Sequence, residues 1–238
     1  MIEIIDLSKS YGEKTVLNKL NAKFEEGMIH GILGPNGCGK TTLIKSMLGL
    51  VHIQSGEVLL DGVPLKSCRE KVSWLPQHPE APRNTTPQEL FDFIEDLRGD
   101  KATFKDSLIR EFEFTKELGK PLKALSGGNF QKCFLIATLM FDVPLIILDE
   151  PTVGLDPVAA ARFKKILAER SKKTTILLIS HITSEIEQLS DKVHFLLEGQ
   201  WAYSGHVKDL ENQTGFEDFE SSIVHVLSQR KEAFNEKV

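Results

Sequence analysis

The stretch GPNGCGKT, residues 34–41, has glycines at its first and sixth places and a lysine followed by a hydroxyl residue. Glycine lets the backbone curl so that its N–H groups wrap phosphate oxygens, which a side chain would obstruct. Gly34, Gly37 and Gly39 supply that freedom, with Asn36 and Cys38 between them. Lys40 adds positive charge at the terminal phosphates, and Thr41, followed by Thr42, offers a hydroxyl to Mg²⁺. Cys38 fills the loop as a small residue and lies beside Lys40 at a helix start, where a thiolate is favoured.

The stretch LIILDE ends an apolar run on two acids, Asp149 and Glu150. Adjacent carboxylates at a strand end can divide the work: Asp149 holds Mg²⁺ through water, while Glu150 polarises an attacking water as general base. TILLISH repeats the layout and delivers His181, whose imidazole can hydrogen-bond a γ-phosphate and the same water. LSGGN carries Ser126, Gly127, Gly128 and Asn129 at what reads as a second glycine-rich helix start. Amides freed at a helix start make an anion site there too.

Such residues need strands and helices in series to present them. MIHGIL reads as a compact apolar strand before the glycine loop, and TTLIKSMLGL as a helix after it. VPLIILDE and TTILLIS are short, non-alternating apolar runs, as expected of strands covered on both faces in a parallel sheet. The helix PVAAARFKKILAER lies between them. MIEIIDL and TVLNKLNAKF about a YGEK turn predict an antiparallel edge sheet. In RNTTPQELFDFIEDLRGD, Thr86 and Glu89 form a capping box and Pro87 suits the first helical position. Leu90, Phe93, Ile94 and Leu97 share one face of that helix and are assigned to the core. The expected architecture is a single α/β domain over 1–238: a parallel-sheet core, an N-terminal antiparallel β subdomain, a helical insert at about 79–125 and a polar C-terminal helix at about 212–238.

With 238 residues, 41% hydrophobic and 26% charged, the chain can bury a substantial core. A formal net charge of -5 gives no general pull toward nucleic acid. Cys38, Cys68 and Cys133 lack CxxC spacing, so free thiols are expected. The histidines other than His181 show no ligand spacing and are assigned structural or solvated roles. MIEIIDLSKS lacks the layout of a signal peptide and no apolar run reaches the length of a membrane span, which places the chain in the cytoplasm.

In this order the motifs resemble those of the ATP-binding subunit of an ABC transporter, over essentially residues 1–210. Gly34 to Thr42 is similar to Walker A, Gln77 in WLPQ to the Q-loop, LSGGN to the signature and LIILDE to Walker B. GLDP, with Asp156, resembles the D-loop, and His181 the switch histidine. Tyr11 in SKSYG stands where the family stacks an aromatic on adenine. The resemblance implies a P-loop NTPase fold of the ABC type, with ATP and Mg²⁺ as ligands and Thr41, Gln77 and Asp149 serving the metal. It also implies a head-to-tail homodimer in which Ser126, Gly127 and Gly128 touch the γ-phosphate held by the other copy. An integral membrane subunit would hold the chain at the inner face of the plasma membrane, and no nucleic acid is expected. Asn129 departs from the glutamine most common in the family, and its shorter amide reaches less far.

A finer likeness lies in VSWLPQHPEAPRNTTPQELFDFIEDLRG and GLDPVAAARFKKIL, which resemble the ATPase subunit of transporters serving copper-site maturation of nitrous oxide reductase. It implies a sulfur or copper species as cargo. Two alternatives stand beside the transporter reading. A soluble ABC ATPase acting on a non-membrane partner would usually carry two cassettes or a long coiled-coil insertion, and the sequence shows neither. A P-loop kinase would place an acceptor pocket where LSGGN stands and transfer phosphate to an acceptor instead of water.

Overall fold

The computed structural model describes residues 1–216 and 218–235. The first elements are β1 (Ile2–Tyr11), β2 (Lys14–Phe24), β3 (Ile29–Leu33), α1 (Lys40–Met47), β4 (Ser55–Leu60), β5 (Val63–Pro64) and β6 (Val72–Leu75). Then come α2 (Pro87–Arg98), α3 (Lys105–Glu111), α4 (Gly127–Leu139), β7 (Leu145–Asp149) and α5 (Pro157–Arg170). The chain closes with β8 (Thr175–Ile179), α6 (Thr183–Leu189), β9 (Lys192–Leu197), β10 (Gln200–His206), α7 (Val207–Thr214) and α8 (Phe219–Asn235). They fall into two compact units, one of Met1–Arg69 with Thr175–Val238 and one of Glu70–Thr174.

In the first unit β1 pairs antiparallel with both β2 and β4, giving the order β2-β1-β4-β5. Alternation buries Ile2 and Ile4, and a bulge then brings Leu7 inward. The bulge falls at Asp6, whose φ of 46° is unusual for a residue with a side chain. Asn21 holds it: its side-chain oxygen accepts from the Asp6 N–H at 3.0 Å and its amide donates to the Asp6 carboxylate at 2.9 Å. Beyond this sheet, β3 lies parallel to β8 on one side and β9 on the other, and β10 runs antiparallel to β9. Every residue of β3 and β8 is buried, as strands covered on both faces require. Each fully buried Leu or Ile contributes about 1.5–3 kcal/mol.

In the second unit β6 and β7 pair in parallel, and β7 is buried throughout. Cys133, Leu135, Ile136 and Leu139 of α4 are buried, as are Phe91, Phe112, Phe114 and Phe163. The capping box forms: the Thr86 hydroxyl accepts from the Glu89 N–H, and the Glu89 carboxylate accepts from the Thr86 N–H at 2.8 Å. Pro87 opens α2, and Gly99, left-handed at φ 70°, ends it. The stripe assigned to the core is corrected, however. Phe93 and Leu97 are 62% and 74% exposed, and the buried face is Pro87, Leu90 and Phe91. Two apolar stripes share Leu90, and periodicity says which residues lie together but not which stripe a neighbour covers.

The C-terminal segment forms two helices, interrupted at Gly215 with φ 75°; residues 236–238 of the expected helix lie outside the described residues. Cys38, Cys68 and Cys133 are all buried, with no disulfide among them.

Two histidines have buried side chains in β3 and β9, 0% and 2% exposed. Their bonds fix the tautomers. His30 Nε2 faces the Glu25 carbonyl at 3.1 Å, so it carries the proton and leaves Nδ1 as acceptor. His194 Nε2, 3.1 Å from that Nδ1, must then donate, and His194 Nδ1 accepts from the Ser204 hydroxyl at 2.8 Å. The two facing nitrogens carry one proton between them, so the rings cannot both be charged without losing that bond. Burial pushes both below the usual imidazole range, His194 to about 3 with the neighbouring His30 adding to the effect. An unfolded chain takes up protons below about pH 6.5 that the folded pair refuses, so stability is present above that pH and falls below it. Urea unfolding between pH 7.5 and 5 should show stability flat to about 6.5 and then falling, by up to about 1.4 kcal/mol per pH unit for each ring. A flat profile down to pH 5, where ordinary carboxylates are still ionised, would contradict this account.

Candidate functional site

The glycine loop joins β3 to α1. Gly39 caps α1 in the left-handed region at φ 114°, where a β-carbon would be strained. The helix start carries no side-chain cap and no acid in its first turn. Its first N–H groups lack intrahelical acceptors, and the helix dipole favours negative charge beside them. Gly34 is needed for a different reason: a Cβ there would lie 2.3 Å from the Leu196 carbonyl oxygen and 2.6 Å from Cys38 Sγ. The Lys40 ammonium donates to the carbonyls of Gly34 at 2.6 Å and Pro35 at 3.1 Å, lying across the loop it follows. Asn36, Gly37 and Thr41 are exposed, and Thr42 is half-buried.

Cys38 is the small filler the loop calls for, and it lacks the thiolate character its position beside Lys40 favours. It is buried, and burial pushes its thiol up despite the pull of Lys40. Desolvation of a thiolate outweighs the nearby ammonium, so Cys38 is a protonated filler rather than a reactive thiol.

Two further residues of the first unit complete its share. Tyr11 ends β1, half exposed, with the Lys9 ammonium 4.3 Å from its ring centroid, a cation–π contact. His181 follows β8 on an exposed turn. Ser180 Oγ donates to Glu185 Oε2 at 2.6 Å and accepts from the Ile182 N–H at 3.1 Å, closing the turn about His181. Ser180 and Glu185 were not singled out in the sequence, although the buried Glu185 sits only one turn into α6.

In the second unit Asp149 closes β7, and Glu150 follows it, 4% and 7% exposed. Glu150 has φ 55°. A glutamate in that region stores strain of about 1–3 kcal/mol, and such strain clusters at functional positions. Gln77 is exposed two residues beyond β6. Ser126 caps α4: its hydroxyl accepts from the Asn129 N–H at 3.3 Å. Ser126 and Gly127 are exposed, Gly128 and Asn129 half-buried, and the first turn again has no acid. Asp156 caps α5 by accepting from the Ala159 N–H at 2.9 Å. That backbone bond, aided by Lys132, holds its carboxyl below the usual carboxylate range. The structure thus gathers Tyr11, Gly34–Thr42 and His181 in one unit, and Gln77, Ser126–Asn129, Asp149, Glu150 and Asp156 in the other.

The profile of the family described as "ABC transporter" matches residues 17–153. The lantibiotic transport ATP-binding protein SrtF of Streptococcus pyogenes is 31% identical over 202 residues, covering 84% of this chain and 88% of that protein. The bacitracin transport ATP-binding protein BcrA of Enterococcus faecalis is 35% identical over 222 residues, covering 90% and 71%. A solved structure described as an ATP binding subunit of an ABC transporter superposes with a TM-score of 0.89 at 26% identity, covering 95% of this chain and 99% of that one.

The crowding at Gly34 can be tested directly. Gly34→Ala should lower unfolding stability by about 1–3 kcal/mol, the usual range for overpacking. Gly37→Ala, whose Cβ would meet nothing within 4 Å and whose strain comes only from φ 78°, should lose about 1 kcal/mol. Equal losses in denaturant titrations would show that the Leu196 carbonyl does not enforce the glycine.

Proposed function

The chain belongs to the ABC transporter family as an ATP-binding ATPase subunit, and from that premise we propose that it works as a homodimer whose ATP-driven closure moves an integral membrane subunit. The observation that carries this reading is that one chain presents two glycine-rich helix starts without an acid in either first turn, Gly34–Thr42 and Ser126–Gly128. One helix start can cradle the phosphates of the ATP its own chain binds. The second then serves the nucleotide bound by the partner copy, with Ser126, Gly127 and Gly128 against the γ-phosphate.

The roles follow from chemistry. Lys40 and the loop amides neutralise phosphate charge, and Tyr11 offers a ring face to adenine. Thr41, Gln77 and Asp149 are hard oxygen donors, a set that suits Mg²⁺ and not a softer metal. The ion, when bound, spreads the charge of the transferring phosphoryl group. Glu150 orients and deprotonates the attacking water, and His181 hydrogen-bonds the γ-phosphate. Asp156 and Gln77 relay nucleotide state toward the partner copy and the helical insert.

The membrane subunit would hold the chain at the cytoplasmic face of the membrane; among the described residues no helix is long and apolar enough to cross one. Relatives named for lantibiotic and bacitracin transport support the transport role. The residues at 72–99 and 154–167 support a narrower reading, with a sulfur or copper species as cargo for nitrous oxide reductase maturation. Cargo choice would lie in the membrane subunit.

Glu150→Gln should reduce phosphate release by about 10²–10⁴-fold, the range of a general base, while binding of a fluorescent ATP analogue persists. With ATP and Mg²⁺ the same variant should double its mass in solution, and adding Ser126→Arg should abolish the doubling. Near wild-type phosphate release from Glu150→Gln would overturn the role given to that residue. A dimer indifferent to Ser126→Arg would overturn the shared site.

A further inference from the structure

Three residues of α4, Gly128, Gln131 and Lys132, stand at the spacing that puts side chains on one helical face, and all three meet the segment that follows Glu150. A Cβ on Gly128 would lie 3.0 Å from the Gly154 carbonyl oxygen, so the helix and this segment are in close backbone approach. Gln131 Nε2 donates to the Pro151 carbonyl at 2.8 Å. Lys132 Nζ donates to Asp156 Oδ2 at 3.0 Å, while Oδ1 of the same carboxylate caps α5. The Lys132 side chain is 16% exposed and that of Asp156 53%, so one end of the pair is shielded from solvent and the other is not. One turn and a half along α5, Arg162 extends the network, donating to the Glu113 carboxylate at 2.5 Å and to the Glu111 carbonyl at 2.7 Å.

The brace is notable for what lies at its ends. Pro151 is the next residue after Glu150, and Gly128 lies within the first turn of the helix that Ser126 caps. The contacts therefore fasten the carrier of the proposed base to the turn that this chain presents to the other copy's nucleotide. We propose that Gln131 and Lys132 are positioning residues that lock these two pieces together, so that engagement of Ser126–Gly128 with one nucleotide sets the geometry of Glu150 at the other. This inference rests on the shared-site dimer proposed above. Neither residue touches ATP: Gln131 acts through the Pro151 carbonyl, and Lys132 through the Asp156 carboxylate.

The test is a double-mutant cycle read in steady-state ATP hydrolysis by the full chain. Asp156→Asn keeps an oxygen to cap α5 but removes the charge that Lys132 meets. Lys132→Met removes the ammonium and keeps most of the apolar stem. Each should lower kcat about tenfold, as a small misplacement of a reacting group does, with KM within about twofold and the thermal midpoint little changed. The double variant should be no worse than either single one, because both break the same bond. Lys132→Arg should restore kcat to within about threefold. A kcat for Lys132→Met within twofold of wild type, or losses that multiply in the double variant, would overturn the proposal. Failure of the underlying dimer reading is separately visible. If the Glu150→Gln chain never dimerises with ATP, the shared site and this inference fall together. If it dimerises and the losses multiply, the inference alone falls.

Discussion

A strand buried on both faces has no place for a working polar side chain until it ends, and that constraint organises this chain. β3, β7 and β8 are each wholly buried. The cost of leaving a polar group unpaired there is a few kcal/mol, so chemistry is displaced to the residue where each strand stops. β3 gives way to the Gly34 loop, β7 finishes on Asp149 and Glu150, and β8 yields to Ser180 and His181. The apolar strands thereby fix the starting points of loops whose own sequences are glycine-rich and polar. A rigid base and a conformationally free tip come from the same few residues.

His30 and His194 look like exceptions and show the terms on which an exception is allowed. Each lies within a buried strand, yet every ring nitrogen has a partner along a run from Ser204 to the Glu25 carbonyl. Phe24 packs edge-on against both rings, which removes water without removing a hydrogen bond. Lys192 pairs with the Glu25 carboxylate beside this run. The facing nitrogens share one proton and both rings are dry, so the tie between β3 and β9 depends on pH in a way an apolar tie would not.

How much of this was legible in the sequence depends on how local the cause is. The glycine loop before α1, the helix start at Ser126 and the strand ending on Asp149 are decided by residues next to one another, and a short window holds all the information. The capping box at Thr86 and Glu89 was equally plain. The stripe on α2 was not, because Phe93 and Leu97 obey the helical period as well as Phe91 does, and only a neighbour's position decides which is covered. Cys38 is legible as a small filler but its protonation is not: its charged neighbour is visible in sequence, whereas the burial that dominates its thiol is not. Ser180 with Glu185, His30 with His194, and Lys132 with Asp156 are contacts made by folding, and no spacing rule announces them. The signature's Asn129 is legible only as a departure; its main-chain N–H serves the Ser126 cap, a role that any residue able to enter a helix could fill.

Glu150 brings the local and non-local causes together. Its left-handed φ is disfavoured for a glutamate, and the proline that follows restricts it further. A chain free to relax would abandon that conformation, so both flanks must be held. On one side β7 is paired with β6 and buried through Asp149. On the other, Pro151 is bonded to Gln131 and the chain is fixed again at Asp156, which caps α5 and meets Lys132. The strain at Glu150 therefore has its cause outside the residue, in a strand before it and a helix after it. The backbone that carries this carboxylate is held from both sides, and its φ can change only if one of those two flanks moves. The β7 flank is buried and cannot shift without disturbing the core, which leaves the α4 flank, tied to the exposed turn at Ser126, as the side from which Glu150 can be controlled.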